Sequence, residues 1–229
     1  MWLSHKLRSV VDPELPSLLT LVDSGFIYPV GTATVNLGTA FTNRHVILCA
    51  STYRGADSRY ITAASIGGTS LTFHVNAQDS TGTVSTQALI ASAIINTGTS
   101  ATLSFTVSGT VTGYIYYIFV ATNSSTTVTS TSTSILTSSS TNQTATFTNF
   151  NTGSYGIIYG EAGYGTGSDV TTFSYGNATE SANVNLPTGG TNMYSAAATL
   201  TRNTKKDIKT VSLTMPNTYT APLVAIASW

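Results

Sequence analysis

Tyr114-Ile115-Tyr116-Tyr117-Ile118-Phe119-Val120-Ala121 is an unbroken apolar and aromatic run, opened by Gly113 and closed by Thr122. Its length suits one strand better than a helix, and its lack of alternation marks a strand covered on both faces. Ala88 to Ile95 reads as a second strand of this kind. Around these two the period is two. Arg59 to Ile66, Leu71 to Val75, Ala101 to Val107, Thr144 to Thr148, Val170 to Tyr175 and Lys209 to Met215 largely alternate an apolar residue with Thr, Ser or another polar one, as half-buried strands do. Glycines punctuate the strands, at Gly67-Gly68, Gly98, Gly109, Gly153 and Gly189-Gly190 among others. With no helical period in the body, a parallel sheet would lack its crossover helices. The pattern predicts an all-β chain, an antiparallel β-sandwich of jelly-roll-like topology with roughly ten to twelve strands.

Hydroxyls replace charges in this chain. Asp, Glu, Lys and Arg are 18 of 229 residues, while Thr (43) and Ser (29) supply 72, and the formal net charge is zero. Without a basic field, nucleic acid and anionic membranes are not expected as partners. No apolar stretch approaches the roughly 18 residues of a bilayer span, and the first residues lack a signal peptide's apolar block, so the chain is expected to be soluble and unexported. Between Tyr60 and Thr201 there is no Lys or Arg, only Asp79, Glu161, Asp169 and Glu180. The cluster Arg202, Lys205, Lys206 and Lys209 reads as a solvated turn before a strand.

Residues 1–30 differ from the body that follows at 31–229. Leu3, Leu7, Val10 and Val11 recur near helical spacing before Pro13 and Pro16 end any helix. One or two isolated turns are not stable alone. The segment therefore reads as an arm that docks on the body or on another chain. Residues 122–145 are dominated by Ser and Thr, and read either as an edge hairpin or as a linker between subdomains at 31–121 and 146–229. Uncharged strands of this kind pair readily with other chains, because nothing repels a neighbour.

Chemistry is sparse. Cys49 lies within Val46-Ile47-Leu48-Cys49-Ala50 and reads as a packed thiol, with no second cysteine for a disulfide. His45, at a strand entrance after Arg44, and His74, between Phe73 and Val75, each read as a surface or a hydrogen-bonded core histidine; at the surface, Arg44 and Arg59 could join His45 in a cationic patch. No Gly-x-Ser-x-Gly elbow, His-Glu-x-x-His or paired-cysteine spacing occurs. The Gly160-Glu161-Ala162-Gly163-Tyr164-Gly165-Thr166-Gly167 stretch lacks the Lys and the strand-to-helix setting of a phosphate loop. The chain is expected to be no enzyme and to need no metal or cofactor. Tyr155, Tyr159, Tyr164, Tyr175 and Tyr194, set among Gly, Ser, Thr and Asn, are the candidate surface for a glycan or protein partner, since rigid rings and small polar groups make adaptable contacts; the alternative is that several of these rings fill the sandwich core.

Val35-Asn36-Leu37-Gly38-Thr39-Ala40-Phe41-Thr42-Asn43-Arg44-His45-Val46-Ile47-Leu48, Ser58-Arg59-Tyr60-Ile61-Thr62-Ala63-Ala64-Ser65-Ile66-Gly67-Gly68-Thr69, Ser104-Phe105-Thr106-Val107-Ser108-Gly109 with the Tyr114 strand, and the ending Ala227-Ser228-Trp229 resemble a group of β-rich virion structural proteins encoded by tailed bacteriophages and prophages. The resemblance is closest over residues 33–121. It implies a non-enzymatic capsid-associated decoration, cement or head-fibre protein, made in the bacterial cytoplasm and resident in the virion. Its partners would be other virion proteins and further copies of itself. A tail or adaptor component, or a host-glycan-binding module of a fibre, is the alternative. The resemblance implies no catalytic residues.

Overall fold

The structure is a computed structural model that describes residues 19–28, 32–53, 59–79, 86–111, 113–122, 126–136, 143–151, 155–165, 174–176, 179–188, 191–201, 208–215 and 220–229. Every regular element among them is a strand, as the period-two pattern predicts. Sheet I runs β1 (Leu19–Ile27), β9 (Gly113–Ala121), β3 (His45–Tyr53), β7 (Thr86–Ile94), β6 (Thr72–Asp79). Sheet II runs β2 (Thr32–Asn36), β8 (Ser100–Val107), β4 (Ile61–Ile66), β5 (Thr69–Ser70). The remaining strands build sheet III, in the order β10 (Ser130–Ile135), β17 (Thr220–Ser228), β12 (Tyr155–Gly165), β15 (Thr191–Thr201), β14 (Thr179–Thr188), and sheet IV, in the order β11 (Gln143–Asn151), β16 (Ile208–Met215), β13 (Ser174–Gly176). All pairings are antiparallel.

Three cores lie between these sheets and stack them in the order II, I, III, IV. Sheet I packs on sheet II through Val46, Leu48, Ile118 and Leu103, and on sheet III through Ile47, Phe119, Ile157 and Ala225. Sheet III packs on sheet IV through Ile158, Val224, Ile226 and Leu213. In β9 the even-numbered side chains enter one core and the odd-numbered ones the other, as a period of two requires. That is why Tyr114 to Ala121 carries no alternation. Gly67 and Gly68, at φ of 57° and 80°, form the two-residue turn between β4 and β5, where a tight hairpin needs positive φ at both positions.

The strand order of the first half recurs in the second. Strands β10, β11, β12, β13, β14, β15, β16 and β17 occupy the places of β1, β2, β3, β4, β6, β7, β8 and β9. The registers follow. Ala121 pairs with both Leu19 and His45, and Ser228 pairs with both Ser130 and Gly156. Thr102-Leu103-Ser104-Phe105-Thr106-Val107 in β8 matches Thr210-Val211-Ser212-Leu213-Thr214-Met215 in β16, and the aligned Ser104 and Ser212 each sit between the two corresponding neighbours. The halves meet where β6 lies over β17 and β10, β7 over β17 and β12, and β3 over β12.

Two expectations need correction. The Ser/Thr-rich stretch is neither hairpin nor linker over its described part, because Ser130–Ile135 is an edge strand on β17 while β11 belongs to a different sheet. Leu19–Ile27, assigned above to the arm, is strand β1 along β9; Leu3, Leu7, Val10 and Val11 lie outside the described residues.

Arg44, expected in a surface cationic patch, has no exposed area. Its Nε donates to Ile95 O at 2.7 Å, Nη2 to Thr97 O at 2.7 Å, and Nη1 to Leu37 O and Gly38 O at 3.2 Å. One guanidinium thus satisfies the carbonyls of two loops that cross the end of sheets I and II, which no shorter donor reaches. Truncation in R44A leaves those carbonyls unpaired and is expected to cost about 2 to 4 kcal/mol, read as a lower urea midpoint at an unchanged m-value.

Candidate functional site

The polar side chains that the strands bring together lie in the seam between sheets I and III. Strand parity puts them there: His45, Ile47, Cys49 and Ser51 share one face of β3, and Tyr155, Ile157, Tyr159 and Glu161 share one face of β12. Two clusters result.

In the first, His45 Nδ1 and Tyr155 Oη are 2.5 Å apart. The Trp229 ring stacks on Tyr155 (centroids 5.5 Å apart, 16° between planes) and presents T-shaped contacts to His45 and His74, each at 5.5 Å. His74 Nε2 lies 2.7 Å from Ser92 Oγ. Burial, and secondarily the neighbouring His74, lower the His45 pKa to about 4. Burial also lowers that of His74. At neutral pH both rings are uncharged, and each works as a hydrogen-bonding core group.

In the second cluster, Tyr117 Oη donates to Ser195 O at 2.9 Å and lies 2.7 Å from Ser195 Oγ, while the Tyr117 and Tyr159 rings meet edge to face at 5.8 Å. Beside them Glu161 is fully buried. Its carboxyl closes no hydrogen bond of standard geometry, nor do Ser51 Oγ and Tyr159 Oη. Burial pushes the Glu161 pKa well above the carboxylate range, an effect the nearby Ser51 and Tyr159 hydroxyls offset in part. Burial likewise raises the Cys49 thiol and the Tyr159 phenol. The seam therefore holds a carboxyl, a thiol, phenols and imidazoles whose neutral forms burial favours, all of them buried except the half-buried His74. Such groups can lock two sheets together; a reactive nucleophile would need an electropositive, partly open setting.

The structure corrects several sequence expectations here. Tyr155 and Tyr159 are buried in the seam and present no surface to a glycan. Tyr164, Tyr175 and Tyr194 stand in β12, β13 and β15, and their side chains lie outside the described part. His45 is 1% exposed and His74 half-buried, so neither is a surface histidine. Arg59 lies over Gly109, where an added Cβ would collide with its Nε, and Arg44 turns to carbonyls, so the two arginines form no patch with His45. Sequence reasoning missed Trp229 and Glu161; the parity of β12 and of Leu223, Ala225, Ala227 and Trp229 is the signal that places them. Among the described residues no cluster of His, Cys, Asp or Glu has the makings of a metal site.

One open groove of about 400 Å³ lies elsewhere, between β10 and β11, lined by Ser130 to Ser134, Thr146, Phe147 and Thr148. Comparison with family models, with curated proteins and with solved structures finds no match.

Two outcomes follow for the seam. A carboxyl whose folded pKa is raised stabilises the fold below the unfolded value near 4.5, and that stability is lost as pH rises towards the folded value. E161Q should therefore melt increasingly above the wild type as pH goes from 5 to 8. A histidine with a depressed folded pKa acts in the opposite direction: its stability is full above about 6.5 and is lost as pH falls towards 4. Y155F, which leaves His45 Nδ1 without its partner, is expected to cost about 1 to 2 kcal/mol at pH 7 by chemical denaturation.

Proposed function

We propose that this chain is a non-enzymatic structural protein of a bacteriophage particle, a decoration, cement or head-fibre protein carried on the capsid, and that its fold is two jelly rolls in tandem. The jelly-roll reading rests on the way the chain alternates between facing sheets: β1, β3, β7 and β9 in sheet I enclose the same core as β2, β4 and β8 in sheet II, and the second half repeats the order. The observation that carries the functional reading is the state of the seam. Its titratable groups lie between the halves, buried apart from the half-buried His74, and burial shifts each towards its neutral form. A particle component at high local concentration needs that rigidity, and a charge-poor, hydroxyl-rich exterior lets neighbouring copies approach without repulsion.

Burial of Tyr155 and Tyr159 removes two of the rings on which a glycan-binding surface would have been built. Quantitative mass spectrometry of particles purified from the phage or prophage that encodes the chain tests the reading. Many copies spread over the shell are expected. Absence from purified particles contradicts it, and a small ring-sized copy number assigns the chain to the tail instead.

A further inference from the structure

We propose that the edge strand β10 joins a second copy of this chain, pairing antiparallel with itself about Ser132 so that the two copies of sheet III become one continuous sheet. This goes beyond the particle reading and does not depend on it.

The comparison between the two halves carries the argument. In the first half, the strand corresponding to β10 is β1, also a sheet edge, and three devices guard it. Its register shifts between Leu21 and Asp23, Asp23 brings a charge, and the gap to β2 is clipped shut: Asp23 Oδ2 accepts from Asn36 N at 2.5 Å, and Asn36 Nδ2 donates to Val22 O at 3.3 Å. Bulges and charges are how sheet edges avoid pairing with strangers. Strand β10 has none of them. It runs in unbroken register along β17, carries no charge and no proline, exposes Thr131, Thr133 and Ile135, and is separated from β11 by the open hydroxyl-lined groove.

The backbone parity of β10 fixes which groups are on offer. Leu136 N donates to Pro222 O at 2.9 Å, towards β17. In an antiparallel ladder the direction alternates, so Ser134, Ser132 and Ser130 face β17, and Thr131, Thr133 and Ile135 turn their N–H and C=O groups outward; the alternation ends at Thr129, whose N–H also bonds Ser228 O at 2.7 Å, so the outward-facing run begins at Thr131.

The occupant follows from the sequence, because this stretch is its own complement. About Ser132, Ser130 meets Ser134 and Thr131 meets Thr133. That register sets Thr131 against Thr133 of the second copy, and both have outward-facing backbone groups, so main-chain bonds and favourable Thr–Thr cross-strand pairs form together. Centring the two-fold on Thr133 instead would set Thr131 against Ile135 and Ser130 against Leu136.

The test uses the full chain in sedimentation velocity at about 0.1 mM, where a micromolar dimer is fully formed. The wild type is expected to be a dimer. T131K/T133K sets like charges opposite one another and should weaken the dimer by roughly tenfold or more, with its melting temperature kept because both threonines are exposed. T131K/T133E places opposite charges across the same register and should restore the dimer. A monomeric wild type overturns the proposal, and so does a dimer that T131K/T133K leaves intact. A T131K/T133E chain that stays monomeric overturns the Ser132 register.

Discussion

Sheets I and III are each covered on both faces, and most of what the sequence does is a consequence of that constraint. Strands buried on two sides cannot alternate apolar and polar residues, so β9 runs apolar throughout and β7 is apolar from Ala88 to Ala91, while the outer sheets keep their alternation. The seam also limits side-chain size. Ala197, Ala225 and Ala227 let sheet III approach sheet I closely, and larger rings enter only where a matching space exists, as for Tyr117, Tyr155, Tyr159 and Trp229. Interiors packed to crystal density leave little room for other solutions.

Polar groups in the seam serve register more than strength. An apolar contact between sheets slides easily, whereas the bonds from His45 to Tyr155 and from Tyr117 to Ser195 each have one geometry. Together they hold residues 110 and 78 positions apart in sequence. Glu161 works the other way: a buried acid that closes no hydrogen bond of standard geometry opposes stability, and burial favours its protonated form. The two halves share a strand order. Where they differ, at the guarded β1 edge and the unguarded β10 edge, the difference marks the side left free to meet another copy.

Much of the fold was legible in the sequence, and the misses have physical causes. The all-β class and the central strand followed from period two and its local absence, because burial writes itself into side-chain polarity. The edge strand Ser130–Ile135 was not separable from a linker, since an exposed strand of alternating Ser and Thr has no polarity contrast to read. Tyr155 and Tyr159 looked like surface rings because Gly and Ser surround them, yet those small residues are what let two sheets close over the rings. Whether His45 lay at the surface or in the core was not legible because its partners, Tyr155 and Trp229, are remote in the chain. The repeated strand order left only the matched hexapeptides of β8 and β16 as a trace, too short to weigh against so Thr-rich a background.

Native-state hydrogen exchange tests most directly whether the seam makes the two halves one cooperative unit. The amides of Ile47 to Ala50 in β3 and of Ile157 to Gly160 in β12 should open only together, with one opening free energy equal to that of global unfolding. Opening energies that differ between the two strands by more than about 2 kcal/mol would mean the halves unfold separately and the seam does not bind them.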